Sequence, residues 1–307
     1  MISKYRYNNV DWIDVQSPTK EEVYSLIEEY SIPAIITEEL ITETVRSKVD
    51  LYDNLIYLVL HFPVTRTKNK DQSEQEIDFI VGKNFLITTH YELINPLHEF
   101  FKKFEVRALL NKKSKDEHAG HLFYHIIKEL YRNVNQNLEM INPDLKKIER
   151  NIFEGKEKDT VKIISEVNRK LLNFKQAMRH HYEALRSFES AGKKFFEPEF
   201  GFQLEAIIGE YNKIKNAMDS HKEIITDLRE TNDSLLANKT NETMKILTII
   251  TFMISPVTVI SSIFMMNTDF ILIQGVSEFY IVLGAMLLTS IITFIFFKMK
   301  KWLSNFI

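Results

Sequence analysis

Ile246-Leu247-Thr248-Ile249-Ile250-Thr251-Phe252-Met253-Ile254-Ser255-Pro256-Val257-Thr258-Val259-Ile260-Ser261-Ser262-Ile263-Phe264-Met265-Met266 contains no charged side chain. A second such run extends from Phe279 to Phe297. Each is about 20 residues, the length a helix needs to cross roughly 30 Å of hydrocarbon. Everything ahead of them is polar enough to live in water. The averages alone hide this: 307 residues, 45% hydrophobic, 26% charged and a net charge of −3 describe a soluble protein. The expected architecture is therefore an α+β membrane protein whose spans, about 244–266 and 279–297, form a C-terminal domain over residues 243–307.

Working outward, the segment before the first span is helical. Leu204, Ile207, Tyr211, Ile214, Met218, His221, Ile225, Leu228, Asn232 and Leu235 recur at alternating steps of three and four, the seam of a coiled coil or long bundle. No proline falls between Glu199 and Ser255, so one helix can run from this seam into the membrane. Two more stripes precede it. Leu122, Ile126, Leu130, Val134, Leu138, Ile141, Leu145, Ile148 and Ile152 form one, bent at Pro143, and Ile164 through Phe188 forms the other. Residues 118–242 thus read as a helical stalk that needs partners for its apolar faces.

Residues 1–117 read as an α/β domain with one main sheet. Val10–Val15 alternates as a strand, and Thr19–Tyr30 follows as a helix with acids in its first turn. A shorter helix is expected over Ile36–Arg46. Asn54–Phe62 looks like a buried strand closed by Pro63, and Thr65–Glu76 like an exposed loop. Ile77–Val81 and Phe85–Thr89 flank Gly82-Lys83-Asn84 as a hairpin.

Orientation follows from the lysines. Lys239 and Lys245 precede the first span, and Lys298, Lys300 and Lys301 follow the second. The link between the spans has no lysine or arginine, and its charges are Asp269 and Glu278. The positive-inside rule puts both termini and the large domain in the cytoplasm. Met1–Asn9 lacks the apolar core of a signal peptide. The near-neutral charge argues against nucleic acid, which usually calls for a basic face. Zero cysteines exclude disulfides, thiolate metal sites and iron–sulfur clusters. No P-loop, Rossmann glycine pattern, nucleophile elbow or His-Glu-x-x-His is present, so nothing points to an enzyme or a resident cofactor.

Thr248, Thr251, Ser255, Thr258 and Ser262 draw one hydroxyl line down the first span. Small hydroxyl residues also serve helix packing in membranes. Five in register favour a water-filled pore lining, with Met244 and Leu247 as an apolar gate that closes by dewetting and Asn241 nearby on the same face. His118, His121 and His125 share a helix face at a spacing that can hold zinc, although packing is the commoner use of such residues.

Asn241-Glu242-Thr243-Met244-Lys245-Ile246-Leu247-Thr248, Ser255-Pro256-Val257-Thr258, Met266-Asn267, the terminal Lys300-Lys301-Trp302-Leu303 and Gly82-Lys83-Asn84-Phe85-Leu86-Ile87-Thr88 together resemble the CorA family of magnesium channels. The similarity spans essentially the whole chain. It implies a homopentamer in the lipid bilayer of the plasma membrane, conducting Mg²⁺ or another divalent cation such as cobalt. It also implies an asparagine ring at the outer mouth, formed here by Asn267 beside Met266, that holds a hydrated ion. The family signature Gly-Met-Asn is Met265-Met266-Asn267 in this chain, so its glycine is absent. Ile273 stands where the family usually has an outer glutamate, leaving Asp269 and Glu278 as the external cation attraction. By the same resemblance Asn241 forms the inner polar ring, Met244 and Leu247 the gate, and Thr258 a level of the channel, while Ser255 replaces a methionine of several relatives. Family members close when cytoplasmic Mg²⁺ binds acids between one α/β domain and a neighbouring stalk. The relevant stalk position is Ala206 here, so Glu205 or Glu210, facing Asp71, Glu74 or Glu76, are the candidates. The rivals are a zinc, cobalt or nickel transporter of the same superfamily and a non-conducting membrane-anchored paralogue or scaffold.

Overall fold

A computed structural model describes residues 1–7, 9–63, 74–92, 94, 96–98, 100, 118–265 and 276–300. It groups into two units, Met1–Glu230 and Thr231–Ile307. Among the described residues the first unit is built on six strands: β1 Ile2–Tyr7, β2 Val10–Gln16, β3 Lys48–Leu51, β4 Leu55–Pro63, β5 Glu74–Gly82 and β6 Phe85–His90, in the order β1-β2-β6-β5-β4-β3. All neighbours are antiparallel except β2 and β6, which run parallel. This is the single main sheet expected, with β1 and β3 added at its edges.

Helix α1, Lys20–Tyr30, starts where a capping box starts it. Thr19 accepts from the Glu22 amide, and the Glu22 carboxylate accepts from the Thr19 amide. With α2, Ile35–Ile41, it covers one sheet face through Val23, Leu26, Ile36 and Leu40, packed on Ile13, Tyr57, Val59, Ile80 and Ile87. Helix α2 is shorter than the expected 36–46. Thr42 is already extended, and Thr44 donates both its amide (2.6 Å) and its hydroxyl (3.1 Å) to the Glu76 carboxylate. A tertiary partner thus draws the chain out of the helix. The same contact corrects the expected loop: Glu74–Glu76 belongs to β5, in register with Pro63 to His61, and Glu76 is buried. The β5–β6 hairpin turns at Lys83-Asn84 as expected, and Gly82 is required because a Cβ there would overlap the Phe85 ring.

After residue 118 come α3 Ala119–Glu139, α4 Asn142–Phe153, α5 Glu157–Ala177, α6 His181–Phe195 and α7 Phe200–Met265, of which α3, α5 and α6 pack on the other sheet face. The bend at Pro143 is a break, with Pro143 in the first turn of α4. The second stripe also breaks, between α5 and α6, so Ile164–Phe188 is two helices rather than one. The buried His181 at that break explains its place. Its Nε2 donates to the His61 carbonyl of β4 (2.7 Å), and its Nδ1 accepts from the Tyr131 hydroxyl of α3 (2.8 Å). Sheet, α3 and α6 are joined through one imidazole. Tyr131→Phe leaves Nδ1 unsatisfied in the core and is expected to cost about 1–3 kcal/mol, read as a lowered urea midpoint.

Burial pushes the His181 pKa down to about 3 from its ordinary 6.5, so the folded chain holds this ring neutral. The unfolded chain binds that proton first. The contribution of this ring to stability is therefore complete above pH 6.5 and is lost progressively as pH falls from 6.5 toward 3. Urea unfolding at pH 7 and pH 5 is expected to give the lower midpoint at pH 5.

The seam read along α7 is real: Leu204, Ile207, Tyr211, Ile214, Met218 and Ile225 are buried. At Gly192 a Cβ would come within 2.7 Å of Leu204, so glycine lets α6 and α7 approach. With 66 residues α7 is about 99 Å long and continues past Pro256 to Met265. Helix α8, Val276–Met299, supplies the second apolar segment.

Candidate ion-conduction site

Two helices, α7 and α8, are long and apolar enough to cross a membrane. In the second unit Ile249 and Phe297 are buried, and the Phe252 and Phe297 rings lie 6.1 Å apart. Helix α8 thus packs on one side of α7. The hydroxyl line lies on another. At 3.6 residues per turn, Asn241, Met244, Leu247, Thr248, Thr251, Ser255, Thr258 and Ser262 fall within about 120° of arc. Asn241, Thr251, Ser255, Thr258 and Ser262 are exposed, and Thr248 is half-buried. Met244 and Leu247 are each 56% exposed.

The hydroxyls are not idle. Thr248 donates to the Met244 carbonyl (2.7 Å), Thr251 to Leu247 (2.8 Å), Thr258 to Ile254 (3.2 Å) and Ser262 to Thr258 (2.9 Å). Each back-bond uses the hydroxyl hydrogen within the helix and leaves oxygen lone pairs facing outward. Such a face presents acceptors, which suit the outward-pointing hydrogens of water around a cation. Pro256 has no amide hydrogen, so the Phe252 carbonyl lacks its usual helical donor one turn away. The Ser255 hydroxyl, beside that proline, makes no hydrogen bond among the described residues. Helix α8 has its own back-bonded pair, Thr289 to Ala285 (2.9 Å) and Thr293 to Thr289 (2.8 Å), which the sequence reading did not single out. Back-bonding alone therefore does not mark a pore. What sets α7 apart is a line of five reaching along the whole apolar segment, mostly exposed.

Met266, Asn267, Asp269 and Asp71 lie outside the described residues. Glu278 falls in the first turn of α8, its side chain likewise outside them. Among the remaining regulatory candidates, Glu210 is paired with Lys213 at 2.8 Å, and Glu205 lies 3.8 Å from Lys193. Glu76 is engaged by Thr44 and by His61 Nε2 at 3.2 Å, and its Oε1 has no partner among the described residues. Glu74, at the start of β5, is half-buried. No group of three or more histidine or carboxylate side chains able to hold a metal occurs among the described residues. The histidines at the start of α3 pack. His118 caps the helix by accepting from the Gly120 amide, and its ring stacks on His121 at 4.2 Å and on Phe196 at 4.4 Å. His121 pairs with Gln203 at 2.8 Å. Burial, with His121 alongside, lowers the His118 pKa to about 4.

Comparison with known proteins adds a consistent picture. The chain is 26% identical to a cobalt/magnesium transport protein CorA of Thermotoga maritima, over 95% of this chain and 83% of that one. It is 22% identical to a magnesium transport protein CorA of Campylobacter jejuni, over 96% and 92%. Its fold matches the complete structure of the CorA magnesium transporter from Methanocaldococcus jannaschii with a TM-score of 0.82, 19% identity, and coverage of 97% and 93%. The family described as CorA-like Mg²⁺ transporter protein matches residues 7–300. The chain, with its α/β domain, long helix and two apolar C-terminal helices, belongs to that family, which is one of transporters and not of enzymes.

Proposed function

We propose that this protein is a divalent-cation channel of the plasma membrane, with Mg²⁺ as its main ion, formed by five copies around α7. The observation that carries this reading is the exposed hydroxyl line of α7. Four of its members are back-bonded acceptors in a segment free of charged side chains. In hydrocarbon, exposed oxygens are unfavourable, and a water-filled axis lined by copies of the same face removes that cost. Mg²⁺ dehydrates reluctantly, so an acceptor-lined path passes it with water attached. Asn267 holds the hydrated ion at the outer mouth, Asp269 and Glu278 attract it, Asn241 forms the inner ring, and Met244 with Leu247 closes the pore. Cytoplasmic cation bound between Glu205 or Glu210 of one stalk and Asp71, Glu74 or Glu76 of a neighbouring domain favours the closed state. Since Glu76 is already engaged within its own chain, Glu74 is the better placed of the described β5 acids. Both termini face the cytoplasm, as the lysines flanking the spans require.

A second reading rests on Met265, which ends α7 at 84% exposed where the family signature has glycine. It makes the protein a non-conducting paralogue. Expression in a strain lacking magnesium uptake separates the two, because a channel restores growth at low Mg²⁺ and a silent paralogue does not. Uptake of Zn²⁺, Co²⁺ and Ni²⁺ into liposomes holding the purified protein is expected to be slower than that of Mg²⁺. Faster zinc uptake would move the protein to the zinc-transporting branch.

A further inference from the structure

Entirely within the first unit, a groove of ≈ 610 Å³ runs between α5, the start of α6, and the first turns of α7 up to Lys222. That volume lies inside the range of about 300–1,000 Å³ typical of small-molecule sites. Its floor is closed and apolar: Leu171, Met178, Tyr211 and Met218 line it, each 5% exposed or less. Its rim stays open, with Leu172 57% and Tyr182 40% exposed. The Tyr182 and Tyr211 rings lie 6.3 Å apart at 37°, so one aromatic face is buried and the other stands at the edge.

Above this floor both walls offer cations. Lys175 and Arg179 come from the α5 side, Lys215 and Lys222 from α7. Lys222 donates to Asn168 Oδ1 at 2.8 Å and ties the two walls at one end. The side chains of Lys175, Arg179 and Lys215 make no ion pair or hydrogen bond among the described residues. Two carboxylates, Glu183 and Asp219, share the groove; burial, and after it these two charges, raise the Tyr211 pKa above its ordinary value. Four cations against two carboxylates leave an excess of positive charge facing inward across a narrow gap.

We propose that this groove binds a nucleoside polyphosphate. The unpaired Lys175, Arg179 and Lys215 take the phosphates, as ammonium and guanidinium groups do elsewhere. The apolar floor and the Tyr182 ring take the base, and Glu183 and Asp219 accept from the sugar hydroxyls. A free phosphate or polyphosphate would use the cations and leave the apolar floor empty. A bare aromatic ligand would do the reverse. Only a molecule with both parts uses both features of the groove.

Calorimetric titration of the full-length protein in detergent, with ATP, adenosine and inorganic triphosphate as separate ligands, tests this. Transport is not needed, so the outcome is independent of which ion the channel passes. ATP is expected to saturate one site per chain, with adenosine and triphosphate each binding at least about tenfold more weakly. Lys175 and Lys215 are exposed. The double variant Lys175→Glu, Lys215→Glu should therefore keep the parent's thermal unfolding and lose ATP affinity by about tenfold or more. Triphosphate binding as tightly as ATP would show an unspecific anion patch and overturn the assignment. So would absence of saturation at millimolar ATP, or unchanged affinity in the double variant. Capture by anionic phospholipid vesicles that ATP does not displace would reassign the groove to a lipid headgroup and equally overturn it.

Discussion

Asn267→Ala is expected to bring Mg²⁺ uptake to background while leaving expression and assembly unchanged. The side-chain amide oxygen is the acceptor that would hold water around the arriving cation. A hydrogen bond between neutral groups is worth about 0.5–1.5 kcal/mol net, so each lost contact costs roughly two- to tenfold in occupancy. In a symmetric assembly the substitution removes every copy at once. Liposome uptake checks the flux, and gel filtration in detergent checks the assembly. The companion change is Met265→Gly. Met265 closes α7 and is largely exposed, so its removal takes no packing from the described core. Glycine returns backbone freedom at the position where the family signature has it, and uptake is expected to hold or rise. If Asn267→Ala transports like the parent, the mouth is not where the ion is chosen. If only Met265→Gly conducts, the natural chain is a silent paralogue.

Met244→Asn and Leu247→Asn are expected to raise the resting leak of divalent cations several-fold. Both side chains project from the face that carries the hydroxyl line, and both are exposed within a single chain. An apolar constriction is closed because water leaves it, and an amide at that level keeps water in. Neither residue contributes to the core of the first unit, so the thermal unfolding of that unit should stay unchanged. Unaltered flux in both variants, measured in liposomes without a membrane potential, would remove these residues from the gate.

Much of the fold was legible because it is written in local and periodic features. The Thr19–Glu22 capping box sets the start of α1 through residues three apart in the chain. Gly82-Lys83-Asn84 between two apolar runs is a hairpin on its own chemistry. The three-and-four spacing of Leu204 through Ile225 finds its buried face because a helix repeats every 3.6 residues whatever it packs against. Edge strands were harder. Neither Ile2–Tyr7 nor Lys48–Leu51 carries a strong apolar alternation, and each becomes a strand by pairing with a neighbour, Val10–Gln16 and Leu55–Pro63. The hydroxyl line of the candidate site was visible as register. The Thr289–Thr293 pair on α8 was not, because two residues make no period.

By itself the sequence determined the two apolar segments, the absence of charge within them, the lysine asymmetry around them and the helical seam that leads into the first. These depend on the water-to-hydrocarbon free energy of individual side chains and on helix geometry, both properties of neighbours along the chain. Only the tertiary structure decided where α2 ends, why Glu76 is buried and where the second stripe breaks. Thr44 leaves the helix to reach a carboxylate 32 residues away, and His181 sits at a helix start to join Tyr131 and the His61 carbonyl. The basic groove over Tyr211 has the same origin. Lys175 and Lys215 are 40 positions apart in sequence and line one cavity because α5 and α7 pack side by side. Buried polar groups must find partners, and those partners are chosen by the fold rather than by adjacency in the chain.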